Sequence, residues 1–585
     1  MIRKKNKSAM WGRACLIACG ITLSASIAFA GTSKLSKDLE GRTGSEMVDV
    51  IVQYKHAPTL EHHLKVLNRG GRFNRELGVV KGASYSMPAS AVADLANDPE
   101  VAHISPNRPL AAFNTGSPTA VLDYHTASIN ANAAWSQGLD GSGVGVAIID
   151  SGVIDIPDFH GKKGAQVVFS QNFVGGTLGS ANDQYGHGTH VAGILAGTGA
   201  KSNGSKYKYT FQGIADNVNI VNLRVLDQNG AGSDSQVIAA IGMAITLKSI
   251  YNIRVINLSL GRPVFESYAL DPLCQAVEQA WKAGIVVVVA AGNNGRDNTY
   301  NTNGYGTISA PANDPYVITV GAMKTGGTSN RGTAVIASYS SKGPTLVDHI
   351  VKPDIVAPGN QIISLYTAGL TLSQEYPTNE IPYSLYQVNG NSTASDTYFV
   401  LSGTSMAAPM VSGAAALLLQ QTPSLTPDQV KARLMKTAFK GLQQYSVATD
   451  PVTGISYYEQ ADIFTVGAGY LDIQAALGNK DLAPATAGSA ISPTVTQDGR
   501  GNTVLVNGSS VIWGGSTTWA NSVVWGTSVL WGTNISGQSV LWGTSVCWGT
   551  SSMQGYSVLW GTSVLWGTSI NDVSESLGVA ANGEN

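Results

Sequence analysis

The stretch from about 114 to 480 predicts an α/β fold, a parallel sheet with helices on both faces. Two observations predict it. Short apolar runs of strand length recur: "VGVAIID", "NIVNLRVL", "RVINLSL", "GIVVVVAA" and "YVITVGA". Among them lie runs with helical spacing: "SDSQVIAAIGMAITLKS", "DPLCQAVEQAWKA", "SMAAPMVSGAAALLLQQ" and "TPDQVKARLMKTA". In such a sheet reactive residues gather at the carboxyl ends of the strands.

A chain of 585 residues is too long for one hydrophobic core, and its composition changes along its length. Residues 1–30 have the layout of a secretory signal: Arg3, Lys4, Lys5 and Lys7 precede an apolar run that closes on Ala28-Phe29-Ala30. "LIAC" ending at Cys19 looks like an acylation box, but it sits too early in that run. Residues 31–113 read as a small α+β unit. Its strands are "VDVIVQYK" and "VAHISPNRPL", around helices "PTLEHHLKVLNR" and "PASAVADLAND". A Pro/Ala/Ser/Thr-rich stretch, 481–508, reads as a linker, followed by a repeat region at 509–570 and a tail at 571–585.

The repeat is "SVLWGT" with variants, and from Gly501 to Asn571 there is neither a charged residue nor a proline. Alternation places Val, Trp and Thr on one face, which predicts a β-rich array that buries one row of Trp. Left open, such a sequence would aggregate. Exposed Trp faces would instead suit contact with a cell surface or a polymeric substrate.

Hydrophobic residues at 43% and charged residues at 13% exclude a disordered or coiled-coil chain. A net charge of −2 supplies no field toward nucleic acid or an anionic membrane, so nucleic acid is not an expected partner. After the signal-like segment no run reaches the roughly 18 apolar residues of a membrane span. Cys15 and Cys19 fall in that segment; Cys274 and Cys547 remain, in regions of very different composition, and are expected as unpaired thiols in a monomer.

Four polar residues stand where chemistry would need them. Asp150 closes "VGVAIID" before a Ser-Gly turn, and His187 sits among glycines in "YGHGTHVAGILAG". Ser405 opens an apolar helix, with Pro409 expected close enough to its start to be tolerated. An imidazole can take the proton of a serine hydroxyl, and a buried carboxylate fixes the ring and stabilises the cation that forms. A helix N-terminus favours developing negative charge, and Asn293, after "VVVVAAG", has an amide able to donate to an oxyanion. Each alone has a plain structural reading as turn, packing residue or N-cap. Gly-Thr-Ser itself occurs eight times, five of them in the Trp-rich region, yet only Ser405 precedes an apolar helix within the α/β stretch.

With these residues in place, the chain resembles the subtilisin-like serine proteases. The matching blocks are "AIIDSGV", "HGTHVAG", "NLSLG", "AAGNNG", "VAPG" and "GTSMAAP", running in the family's order of Asp, His, Ser. The resemblance implies Asp150 as orienting carboxylate, His187 as general base and acid, Ser405 as nucleophile, Asn293 in the oxyanion hole and His190 as structural. It makes Ser259, Leu260 and Gly261 one edge, and Gly230, Ala231 and Gly232 the other, of a groove that pairs with an extended peptide. The implied fold is a subtilisin-like parallel sheet, preceded by an α+β inhibitor-type propeptide and followed by the β-rich tail. The implied protein is a secreted serine endopeptidase acting on proteins and peptides through an acyl-enzyme. It would be made as a precursor whose propeptide acts as intramolecular inhibitor, cut between about 108 and 118.

No cofactor is implied for the chemistry. The family often binds structural calcium, and Asp158 matches a ligand position of relatives, whereas Lys201, Lys206 and Lys208 in the loop after the histidine depart from the calcium-binding type. An insertion at 367–400 would shape substrate access, and the small apolar lining near 259–261 and 290–293 predicts tolerance of large uncharged side chains. Two rival readings are a non-cleaving surface binder working through the Trp repeats and an α/β-hydrolase esterase. The complete Asp/His/Ser/Asn set counts against the first. Ala407 stands where the second needs glycine.

Overall fold

A computed structural model of the chain describes residues 34–112, 115–116, 124–162, 164–175, 179–299, 302–450, 453–497 and 503–506. The signal-like segment, the Trp repeats, the tail and Cys547 lie outside the described residues.

The N-terminal unit contains β1 (Met47–Tyr54), α1 (Leu60–Leu67), β2 (Arg72–Leu77), β3 (Gly82–Pro88), α2 (Ala89–Ala96) and β4 (Val101–Pro106). Its strands form an antiparallel sheet in the order β2-β3-β1-β4. Val50, Val52, Tyr54, Val66, Met87, Leu95 and Ile104 make its core. The run "VAHISPNRPL", read as one strand, is two. The break falls at Asn107–Arg108, where the Asn107 side chain accepts from Ser235 N (2.9 Å), and the chain goes on as β5 (Pro109–Ala112) and β6 (Thr115–Gly116).

The main body is built from β7 (Gly145–Asp150), β8 (Val167–Asn172), α3 (His187–Ala196), β9 (Asn219–Arg224), β10 (Ala231–Ser233), α4 (Asp234–Tyr251), β11 (Ile253–Leu258), β12 (Leu260–Gly261), α5 (Pro272–Lys282) and β13 (Val286–Ala290). Then come β14 (Ile318–Lys324), β15 (Val335–Ile336), β16 (Ile355–Pro358), β17 (Ala394–Ser402), α6 (Thr404–Gln421) and α7 (Pro427–Thr437). The main sheet has the order β8-β9-β7-β11-β13-β14-β15, with β16 also on β14. Every pair is parallel except β14 with β15. Strands β7 and β13 are buried at every residue because helices cover both faces, which is why they read as unbroken apolar runs.

Helix α6 crosses the interior, buried from Thr404 to Leu419. The structure corrects one expectation here. Pro409 is the sixth residue of this helix, past the first turn where proline costs little. Proline has no N–H to give the carbonyl four residues back, so the Ser405 carbonyl needs another donor.

The segment read as a linker is packed on the body over much of its length. Gln429 Nε2 donates to Ala483 O (2.8 Å), Ala490 N to Asp428 Oδ1 (2.7 Å) and Val495 N to His349 O (2.9 Å). It ends in a hairpin of β18 (Thr494–Gln497) and β19 (Thr503–Val506). The docking runs through scattered backbone groups and single polar side chains such as Ser492, which accepts from Lys431 Nζ (2.9 Å), rather than an apolar stripe, so periodicity gave no sign of it. Cys274 is buried and unpaired, and among the described residues no helix is long and apolar enough to cross a membrane.

Candidate active site

Asp150 stands at the carboxyl end of β7, in register with Arg224 on β9. Its Oδ1 accepts from Ser151 N and lies 2.7 Å from His187 Nδ1, and both side chains are wholly buried. His187 is the first residue of α3. Two glycines allow the approach. A Cβ on Gly188 would lie 2.1 Å from Gly152 O, and Gly152 holds φ 114° with a Cβ position 2.5 Å from Ala181 O. With Nδ1–H donated to the carboxylate, the ring presents Nε2, which is buried and has no hydrogen-bond partner among the described residues. An unprotonated Nε2 so held is a base aimed by its own orienting group.

Sequence reading missed Asp183, which holds this pair in place. Its buried carboxylate accepts from Ser151 Oγ (2.8 Å), Gly186 N (2.8 Å) and Thr189 N (2.8 Å), so it joins the turn after Asp150 to the start of α3. Burial pushes its carboxyl above the ordinary range, against the pull of these donors. The only sequence signal was an Asp three positions before a Gly-His-Gly block, which reads as an ordinary turn. His190 Nε2 donates to Phe399 O (3.1 Å), and burial pushes its pKa down to about 3, so it packs as a neutral ring.

Ser405 lies in the first turn of α6, where free N–H groups favour negative charge. The two residues before it explain the motif. Gly403 has φ 149°, and Thr404 acts as a latch: its N and Oγ1 both donate to Asn293 Oδ1 at 3.0 Å, while Oγ1 accepts from Gly292 N at 3.1 Å. The carbonyl end of Asn293 is thereby used, and its Nδ2 is left buried with no partner among the described residues. Ser259 fills the gap left by Pro409, since its Oγ donates to Ser405 O (2.9 Å). The Ser405 hydroxyl in turn donates to Ser259 O (3.0 Å). Helices α3 and α6 pack on one another, so the elements that begin with His187 and carry Ser405 are neighbours.

The groove beside Ser405 is filled by the chain itself. Strand β5 lies between β10 and β12, antiparallel to both, pairing Ala111 with Ala231, Leu110 with Gly232, Ala112 with Leu260 and Ala111 with Gly261. Ala112 N also donates to Gly230 O (3.1 Å). Beyond the next two residues, β6 pairs with the end of β17, Thr115 opposite Ser402. Arg262, just past β12, is buried and bonds Asp234 at the head of α4 (2.8 Å) and Asp271 (2.8 Å), which fixes the two edges of the groove relative to each other. The 367–400 insertion rests on the approach to His187: Thr371 N and Leu372 N donate to Gln184 O and Tyr185 O.

Asp158, the candidate calcium ligand, is buried. Its Oδ2 accepts from Lys201 N (3.1 Å), while its Oδ1 has no hydrogen-bond partner among the described residues. Among the described residues no three carboxylate, His or Cys side chains cluster as a metal site. Burial raises the Asp158 pKa to about 6. Between the ordinary value and about 6 the folded state keeps a proton that the unfolded chain has released, so stability falls as pH rises through this window. Asp158→Asn, made in an inactive Ser405→Ala background, is therefore expected to stabilise the protein by about 1–2 kcal/mol at about pH 8 and hardly at all at about pH 4. Urea unfolding at both pH values checks it; destabilisation by the substitution in the presence of calcium would reverse the assignment.

An oriented buried imidazole, a serine at a helix N-terminus beside a free amide donor, and a groove that takes an extended peptide define a class, the serine peptidases. The chain belongs to the subtilase family, whose peptidase S8 model matches residues 141–504. It is 33% identical to subtilisin E of Bacillus subtilis over 423 residues, 72% of this chain and 91% of that protein. It is 37% identical to serine protease AprX of the same organism over 326 residues, 54% of this chain and 66% of AprX. Among solved structures it is similar in fold to fervidolysin from Fervidobacterium pennivorans, with TM-score 0.55 and 23% identity over 79% of this chain and 66% of that one. As a subtilase serine peptidase it is a hydrolase acting on peptide bonds.

Proposed function

We propose that this chain is the precursor of a secreted endopeptidase that first cuts itself at Phe113–Asn114 and then hydrolyses proteins and peptides. One observation carries the proposal: β5 and β6 occupy the groove in substrate fashion on either side of these two residues. Three bonds separate Ala112 from Thr115, and the middle one joins Phe113 to Asn114. His187 takes the Ser405 proton through Nε2 as Oγ attacks the carbonyl carbon. Asp150 stabilises the imidazolium, and Asn293 Nδ2 and the start of α6 receive the oxyanion. The imidazolium then protonates the leaving amine, and water resolves the acyl-enzyme by the same route in reverse.

The N-terminal unit is then a propeptide that blocks the site after cleavage. Its contacts with the body support this: Gln53 Nε2 donates to Gln275 Oε1 (2.7 Å) and Arg75 to Phe173 O (2.9 Å), and Leu110 is only 3% exposed. Secretion rests on the signal-like residues 1–30, and one relative, from Thermus sp. (strain Rt41A), is named an extracellular serine proteinase. Mass spectrometry of protein recovered from culture medium tests the proposal. The native chain is expected to begin at Asn114 and the Ser405→Ala chain near Gly31. Loss of residues 31–113 from the Ser405→Ala chain, in a host without proteases of its own, would refute self-cleavage.

A further inference from the structure

Glu266 is a charged side chain of the catalytic body that meets the N-terminal unit and has no hydrogen-bond or ion-pair partner on its own side among the described residues. It is 8% exposed, and both of its described partners come from that unit: His103 Nε2 lies 2.8 Å from Oε2, and Arg108 donates to Oε1 at 2.7 Å. Arg108 also bonds Asp38 (3.1 Å) and Ser36 (2.6 Å), which belong to the same unit as itself. Its guanidinium carbon lies 5.1 Å from the centre of the Phe265 ring, a second contact on the body. Arg262 is close by, but Asp234 and Asp271 already neutralise it.

Arg108 is in the groove's peptide register. Its carbonyl accepts from Asp234 N (3.0 Å) at the head of α4, immediately before Pro109 begins the paired strand. Counting back from Phe113, Arg108 is the sixth residue on the amino side of the proposed cut. When the N-terminal unit departs, Glu266 loses both described partners. Freed of them, the carboxylate stands beside an aromatic ring, so a cationic side chain delivered to that place gains a charge-assisted bond and a ring face together.

We propose that Glu266 and Phe265 form an outer subsite of the mature enzyme that selects substrates with arginine six residues before the cleaved bond. The inference rests on the proteolytic reading above. The processed enzyme is tested with three p-nitroanilides, Arg-Pro-Leu-Ala-Ala-Phe, its Gln-Pro-Leu-Ala-Ala-Phe counterpart, and the shorter Leu-Ala-Ala-Phe. kcat/KM is expected to be about tenfold higher for the Arg peptide than for the Gln peptide, a preference that raised salt weakens. In Glu266→Gln the Arg-to-Gln ratio should fall to about one. Should that variant fail to mature, the salt dependence of the ratio in the unaltered enzyme decides, and a ratio indifferent to salt overturns the subsite. Equal rates on the two long peptides, or the same ratio in Glu266→Gln, also overturns it while the proteolytic reading stands. Failure to cleave even Leu-Ala-Ala-Phe p-nitroanilide sinks both.

Discussion

Ser405→Ala is expected to lower kcat on a peptide p-nitroanilide by about 10⁶-fold, the magnitude known for this constellation in subtilisin rather than one derived from these distances. His187→Ala should cost as much, and the double variant little more, because hydroxyl and imidazole act as a unit. His187 Nδ1 is committed to Asp150 and its Nε2 has no partner among the described residues, while the Ser405 hydroxyl donates to Ser259 O. Ser405→Ala leaves Thr404, Asn293 and the Ser259 bond to the Ser405 carbonyl in place, so folding should be preserved. Stopped assays on the mature unaltered enzyme and on Ser405→Ala freed of its N-terminal unit by an added protease, with unfolding curves beside them, check both halves. Residual activity within tenfold of the unaltered enzyme would remove Ser405 from the mechanism.

Asn293→Ala is the second large effect, a fall of about 10²–10³ in kcat with KM little changed, again the magnitude known for the corresponding donor in subtilisin. Nδ2 is the unpartnered donor, and its bond strengthens only as charge builds on the carbonyl oxygen, so the loss belongs in kcat. The side chain has a second duty, because Oδ1 takes both Thr404 donors next to the nucleophile. Asn293→Ala should therefore also cost about 1–3 kcal/mol of stability, the penalty of leaving buried donors unmade. Steady-state kinetics and unfolding measured on one preparation separate the two effects. A rise in KM with kcat intact would assign Asn293 to substrate binding instead.

Much of the site was legible because its chemistry is carried by short blocks. A carboxylate closing a buried strand, a histidine among glycines and a serine before an apolar helix can each be named from the letters alone. Asp183 was not, since nothing in "NDQYGH" separates a buried strut from a surface turn. The difference lies in donors contributed by Ser151, 32 residues away, and by the start of α3. Pro409 was misjudged for a related reason. Its position looked harmless, and only the folded arrangement shows Ser259, 146 residues from Ser405, repairing the bond that the proline removes. The packed stretch after 481 was equally silent, because it docks through backbone groups and single polar side chains without a period.

By itself the sequence determined the α/β class, the order of the reactive residues and the presence of a separate unit ahead of them, because these follow from local pattern and composition. Tertiary structure alone decided which polar atoms have no partner among the described residues, which segment lies in the groove and which carboxylate of the body His103 and Arg108 meet. Those depend on which groups far apart in the chain come within hydrogen-bond reach, and no local rule fixes that.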